Sequence, residues 1–132
     1  MERLNLSFEN TYEFSYEEML PAASQGFIGI ECISSNKDLI KMLSSINSEK
    51  DMVLAEAERS FVAQLNGSCL SPIAIYCREE SSHVLISAKA LSQNGDKQIF
   101  KEIISSHASI NEDIRTLAKE FISKGADKLI LS

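Results

Sequence analysis

Three cysteines are the residues of this chain best able to do covalent chemistry, and one of them is placed unlike the other two. Cys69 follows Leu65-Asn66-Gly67-Ser68, at the end of an amphipathic stretch, and precedes Leu70-Ser71-Pro72-Ile73-Ala74, which leads into an apolar run. A thiol on a tight Gly-Ser turn between a helix and a strand is held at a defined place. A helix C-terminus carries partial negative charge and discourages a thiolate, so the position does not suit a redox nucleophile. Spacing alone favours a small buried hydrophobe, the usual fate of a free intracellular cysteine. Cys32 and Cys77 lie inside apolar runs and are expected in the core. His83 and His107 flank strand patterns with no partner at metal spacing and are expected at the surface. An odd cysteine count without CxxC suggests neither a disulfide framework nor a zinc site, and a reducing cytoplasm fits best.

The elements that must position Cys69 can be read from periodicity. Gly26 to Ile33 is a short Ile-rich run, which suits a strand buried on both faces. A helix is expected next, with Ser35 or Asn36 as N-cap and Leu39, Ile40, Leu43 and Ile46 on one face. A second helix begins near Ser48, with Asp51 in the place of a capping-box acid. Its buried stripe is Leu54, Ala57 or Glu58, Phe61 and Leu65, and Gly67 is expected to terminate it in the left-handed region. Arg59 either pairs across a domain interface or sits on a solvated face with Glu56 and Glu58, the second being favoured.

After Cys69 the pattern changes to strands: Ile73 to Cys77 behind Pro72, His83 to Leu91, and Gln98 to Ile104. Gln93-Asn94-Gly95-Asp96 predicts a hairpin with a type I′ turn. Ser109-Ile110-Asn111-Glu112 reads as a capping box opening a helix that buries Ile114, Leu117, Ala118, Phe121 and Ile122. Gly125 ends it, and Leu129-Ile130-Leu131 should pack back on the core. The fold class is therefore α+β, a three-stranded antiparallel sheet packed on helices. Residues 1–19 are polar and irregular, with Phe8, Tyr12, Phe14 and Tyr16 among acids, as expected for a tail or an element without its partner.

Composition bounds the rest. The chain of 132 residues is long enough for one cored domain, and 44% hydrophobic content is that of a globular protein. No apolar run approaches the roughly 20 residues of a membrane span, and the start lacks the order of a signal peptide. The net charge of −6, with scattered Lys and Arg, argues against nucleic acid and anionic membranes as partners.

Two stretches together resemble one family. The segment Leu20-Pro21-Ala22-Ala23-Ser24-Gln25-Gly26-Phe27-Ile28-Gly29-Ile30-Glu31-Cys32, followed by Glu58-Arg59-Ser60-Phe61 and Leu65-Asn66-Gly67-Ser68-Cys69, is similar to the hydroxymethylbilane synthase (porphobilinogen deaminase) family of haem biosynthesis. The family often has Gly-Gly-Cys where this chain has Gly67-Ser68-Cys69, and serine is small enough to keep the turn. The resemblance implies that residues 1–22 are the end of a second domain and that 23–49 are a segment returning to a first domain as strand plus helix. Residues 50–132 would be a complete C-terminal cofactor-attachment domain.

In that family the cysteine matching Cys69 carries a dipyrromethane as a permanent thioether, the primer on which four porphobilinogen units are joined into hydroxymethylbilane. Gln25, Gly26 and Ser68 match positions near that cofactor. The resemblance implies a transferase with porphobilinogen and a linear polypyrrole as partners, monomeric as the full enzyme. It also implies that the catalytic aspartate and most carboxylate-binding arginines lie in the first two domains, so no catalytic residue is assigned here. The charge agrees independently: four Arg on an acidic chain cannot line a cleft for a polypyrrole with two carboxylates per ring. The chain alone is expected to be inactive and its Cys69 bare. Residues 26–33, apolar on both faces, are expected to be sticky. Residues 1–49 should then either draw copies together or dock on their own domain in a non-family arrangement, while 50–132 fold independently. The rival readings are a stand-alone α+β binding or regulatory module, with Cys69 merely structural, and a thiol enzyme using Cys69 as nucleophile.

Overall fold

A computed structural model describes residues 9–132; the expectation for Phe8 lies outside them. Helix α1 (Lys37–Ser44) and helix α2 (Glu49–Gln64) precede strands β1 (Ile73–Glu80), β2 (His83–Leu91) and β3 (Gln98–Ser105). Helix α3 (Ile110–Ser123) and the short α4 (Ala126–Leu129) follow. The strands form one antiparallel sheet in the order β1-β2-β3. The α+β class expected from the sequence is the observed one.

Alternation decides which face of the sheet is covered. Ile73, Ile75 and Cys77 of β1 and Val84, Ile86, Ala88 and Ala90 of β2 are buried and form one core with residues of α2 and α3. Leu54, Ala57, Phe61 and Leu65 come from the α2 side, and Ile110, Ile114, Leu117, Ala118 and Phe121 from α3. Phe61 and Phe121 meet edge to face at 5.1 Å, which locks the two helices together over the sheet. On the other face Phe100 and Ile104 stay exposed, while Tyr16 stacks on Tyr76 at 4.5 Å with the Arg78 guanidinium beside it.

The helix starts follow the capping chemistry. Asn36 Oδ1 accepts from Leu39 N–H at 3.1 Å, and Ser48 Oγ accepts from Asp51 N–H at 3.3 Å. At α3 the capping box does not form. Ser109 has helical backbone angles, and its hydroxyl turns back to Ser106 N–H at 3.3 Å. Glu112 N–H goes to the Ser109 carbonyl instead.

Several expectations are corrected. Gly26 to Ile33 is not a strand: it has no ladder partner among the described residues, and Ile28 is 91% exposed. Its apolar pattern is that of a buried strand, but a strand needs a neighbour to satisfy its backbone groups, and none is placed beside it. Cys32 is accordingly only half-buried and outside the core. On α1, Leu39 and Leu43 are half-buried while Ile40 and Ile46 are exposed. Ile122 and Leu131 are also exposed, because the core-facing side of the last helices is filled by Phe121, Ala126 and Ile130. In the 92–97 hairpin only Gly95 has positive φ, so the turn is not type I′; Gly95 N–H closes on the Ser92 carbonyl at 2.9 Å.

Candidate functional site

Cys69 sits where α2 gives way to β1, and the local sequence explains why the chain turns there. Helix α2 ends in a Schellman motif: Gly67 N–H reaches the Val62 carbonyl at 2.9 Å and Asn66 N–H the Ala63 carbonyl at 3.0 Å. The left-handed residue is Asn66 (φ 54), not Gly67 as expected from the sequence. Gly67 is required for a different reason. A Cβ there would lie 2.5 Å from Ile73 Cδ1, 3.0 Å from Val62 Cγ1 and 3.2 Å from the Val62 carbonyl oxygen. The turn is therefore pressed against the start of β1.

The next four residues form a loop tied to itself. Ser71 N–H donates to the Ser68 carbonyl at 3.1 Å, Ser68 N–H to Ser71 Oγ at 2.9 Å and Leu70 N–H to Ser68 Oγ at 3.2 Å. Ile73 N–H then returns to the Ser71 carbonyl at 2.7 Å. Each serine hydroxyl satisfies a backbone donor that a tight turn would leave open. Cys69 and Leu70 lie at the outer corner, both exposed, Leu70 at 92%. Ser68 thus does more than keep the turn small. Ser71 closes the turn and was passed over by the sequence reading, although Ser-x-x-Ser across a turn is a recognisable ST-turn signal.

Cys77, by contrast, is buried on β1, and burial, with a lesser push from the Glu58 carboxylate, raises its thiol well above the ordinary range. Only Cys69 is exposed among the three thiols. The histidines do not serve it. His107 and His83 pair with Glu79 and Glu80 at the far end of β1, at 3.3 and 3.7 Å. Seven residue steps of strand put that end roughly 23 Å away. Among the described residues there is no metal-ligating cluster.

Gln25 and Gly26 are exposed; Gln25 Oε1 accepts from Ala22 N–H at 3.2 Å, and Gly26 has positive φ. No hydrogen bond among the described residues joins either to Cys69. Their segment is nonetheless docked on the domain. Ile75 N–H donates to the Pro21 carbonyl at 3.2 Å, Ser24 Oγ to the Ala55 carbonyl at 3.2 Å and Ser24 N–H to Glu58 Oε2 at 2.6 Å. Glu58 Oε1 accepts from Cys77 N–H at 2.8 Å. Glu58 is only 1% exposed, so it lies with Ala57 on the buried stripe of α2 and not on the solvated face beside Arg59, which is itself exposed. Burial raises the Glu58 carboxyl above its ordinary value, and the two N–H donors pull it partly back.

Comparison with known proteins places this geometry. Residues 52–123 match the family described as porphobilinogen deaminase, C-terminal domain. The chain is 36% identical over 132 residues to a porphobilinogen deaminase of Campylobacter hominis, covering 98% of this chain and 42% of that protein. It is 34% identical to one of Campylobacter jejuni over the same share of this chain and 43% of the other. A porphobilinogen deaminase of Listeria monocytogenes is 38% identical over 114 residues, covering 86% of this chain and 36% of the relative. The chain thus spans about two-fifths of the length of the curated relatives it matches. The matched stretch contains α2 from Met52 onward, the Cys69 turn, the whole sheet and α3. The chain belongs to the porphobilinogen deaminase family, and what it carries is that family's C-terminal domain.

Proposed function

We propose that this chain is the primer-anchoring portion of a hydroxymethylbilane synthase, with Cys69 as the attachment point of the dipyrromethane. The observation that carries this is the exposed thiol at the corner of a loop pinned by Ser68 and Ser71, inside the region matched to the family. A tether needs a thiol that is reachable and fixed in place, and it does not need an activating base. Cys69 Sγ would hold the group as a thioether, by addition of the thiol to the exocyclic carbon of a methylene-pyrrolenine (a pyrrole whose aminomethyl group has already lost ammonia). The thiol proton goes to the ring nitrogen, and no oxidant or reductant is needed. When bound, the dipyrromethane supplies the free pyrrole end to which further units are added. The chain's own residues position it: the Schellman end of α2 and the start of β1 fix the corner, and Gln25, Gly26 and Ser68 are the candidates to stand near the cofactor.

In the same reading residues 1–22 are the end of a second domain, 23–49 a segment of a first domain, and 50–132 the anchoring domain. Porphobilinogen and the growing polypyrrole are the partners, in the cytoplasm. The chain alone is inactive, its Cys69 is bare, and residues 26–33 promote self-association. Exposure of Ile28, Ile30 and Ile33 supports that last point.

Two measurements test the reading. The purified chain incubated with porphobilinogen should give no uroporphyrin after oxidation, and significant product would overturn the assignment of the chemistry to other domains. Tryptic mass mapping of the full-length enzyme should find the adduct on Cys69; an adduct on Cys32 or Cys77 would overturn the anchor.

A further inference from the structure

We propose that Glu58 is a positioning residue, a buried latch that holds the junction segment Leu20–Gly26 at a fixed offset from the Cys69 turn. Its carboxylate is shared between two elements distant in sequence. One oxygen takes Cys77 N–H on the outer edge of β1, and the other takes Ser24 N–H of the junction. Among the described residues those are its two hydrogen bonds, and both go to backbone.

The junction has matching features. Ser24 adopts φ 60, a left-handed backbone that costs a serine energy and persists where surroundings hold it. That conformation comes with Ser24 N–H on Glu58 and Ser24 Oγ on the Ala55 carbonyl, one helical turn before Glu58. Pro21 contributes its carbonyl to Ile75 N–H, the β1 edge donor two residues before Cys77, and Ala23 packs against the core. The segment is therefore seated on α2 and on β1 at once.

Helix α2 connects this seat to the thiol. From Glu58 to Gln64 the helix rises about 9 Å, and its Schellman end leads directly to Cys69. A rigid helix with the junction latched at its middle and the anchor at its end fixes the distance between them. Gln25 and Gly26, immediately after the latched Ser24, are thereby held relative to Cys69. The link to primer geometry rests on the reading of Cys69 given above; the latch itself does not.

The test is residue-resolved amide hydrogen exchange on the 132-residue chain, wild type against Glu58→Gln. The amide variant keeps one acceptor oxygen and turns an NH2 toward the other donor. Ser24, on the peripheral segment, is the partner that should be released. Exchange at Ser24 and Ile75 is expected to accelerate about tenfold or more, with β2 amides unchanged within about twofold. Unchanged rates at Ser24 and Ile75 would overturn the proposal, as would an equal acceleration throughout β2 and α3, which would make Glu58 an ordinary core residue. Independently of any variant, through-hydrogen-bond couplings should connect both the Ser24 and the Cys77 amides to the Glu58 carboxyl carbon. Absence of the Ser24 coupling would also overturn it. None of these readouts involves the primer, so a failure of the latch and a failure of the Cys69 anchor are distinguishable.

Discussion

Replacing Gly67 by alanine should destabilise the domain for a reason of space, not of backbone angle. Gly67 lies outside the left-handed region, so alanine can adopt its backbone. The new methyl, however, would stand 2.5 Å from Ile73 Cδ1 and 3.0 Å from Val62 Cγ1, well inside van der Waals contact. The Ile73 methyl is the mobile end of its side chain and can move, while the Val62 carbonyl at 3.2 Å is backbone and cannot. Overpacking of this kind costs about 1–3 kcal/mol. Ile73→Val removes the nearest atom and alone should cost about 0.5–1.5 kcal/mol. Combined, the two changes should cost less than their sum, by about 0.5 kcal/mol or more, because the valine makes room for the alanine. Asn66→Gly supplies the contrast: Asn66 holds the left-handed position, where glycine is at ease, and the change should stay within a few tenths of a kcal/mol. Urea unfolding followed by circular dichroism gives all four values. Strict additivity of Gly67→Ala and Ile73→Val, or a neutral Gly67→Ala, would refute the close-approach argument.

Native-state maleimide labelling read by peptide mass should modify Cys69 first and Cys32 more slowly. Cys77 should react only on unfolding, since it is buried with its thiol raised, and labelling of Cys77 at the Cys69 rate would contradict the packing of β1. Glu58 should leave a signature in stability against pH. Its folded carboxyl is raised above the ordinary 4.5, so between that value and the folded one the native state holds more protons than the unfolded state. Its contribution is present in full below 4.5 and is lost as pH rises through the folded value. The stability of wild type minus that of Glu58→Gln should therefore fall with rising pH across this window, and a difference that grows would show the carboxyl lowered.

What was legible in the sequence was what neighbours decide. The β1, β2 and β3 runs are short, apolar-rich and bounded by turn residues, with partial alternation in β2, and the caps of α1 and α2 are side chains bonding three residues ahead, so strand pattern and cap chemistry sufficed. Gly26 to Ile33 carries the same apolar signal as a paired strand, yet pairing depends on a partner that periodicity does not name. Gly67 was recognised as special but for the wrong cause, since a left-handed angle and a close approach both select glycine, and only the nearness of Ile73 tells them apart. The Cys69 turn was located by its motif, while the Ser71 hydroxyl that closes it was not. Glu58 was the least legible. A glutamate that falls between a buried stripe and a solvated face cannot be assigned to either until its partners, 34 residues before and 19 after, are known.

The way the outer side of β1 is covered has a consequence for how copies of this sheet could assemble. A three-stranded sheet has two edges, and a chain that can add strands at both has two sticky ends, the valence needed for a filament. Here the β1 donors Ile75 N–H and Cys77 N–H are already taken by Pro21 and Glu58. β3 has no strand beyond it among the described residues, so its outer edge is the more open to addition. Strand addition there alone ends at a pair of sheets joined β3 to β3. The buried carboxylate thus withholds one β1 edge donor from an added strand, and removing it would free that donor.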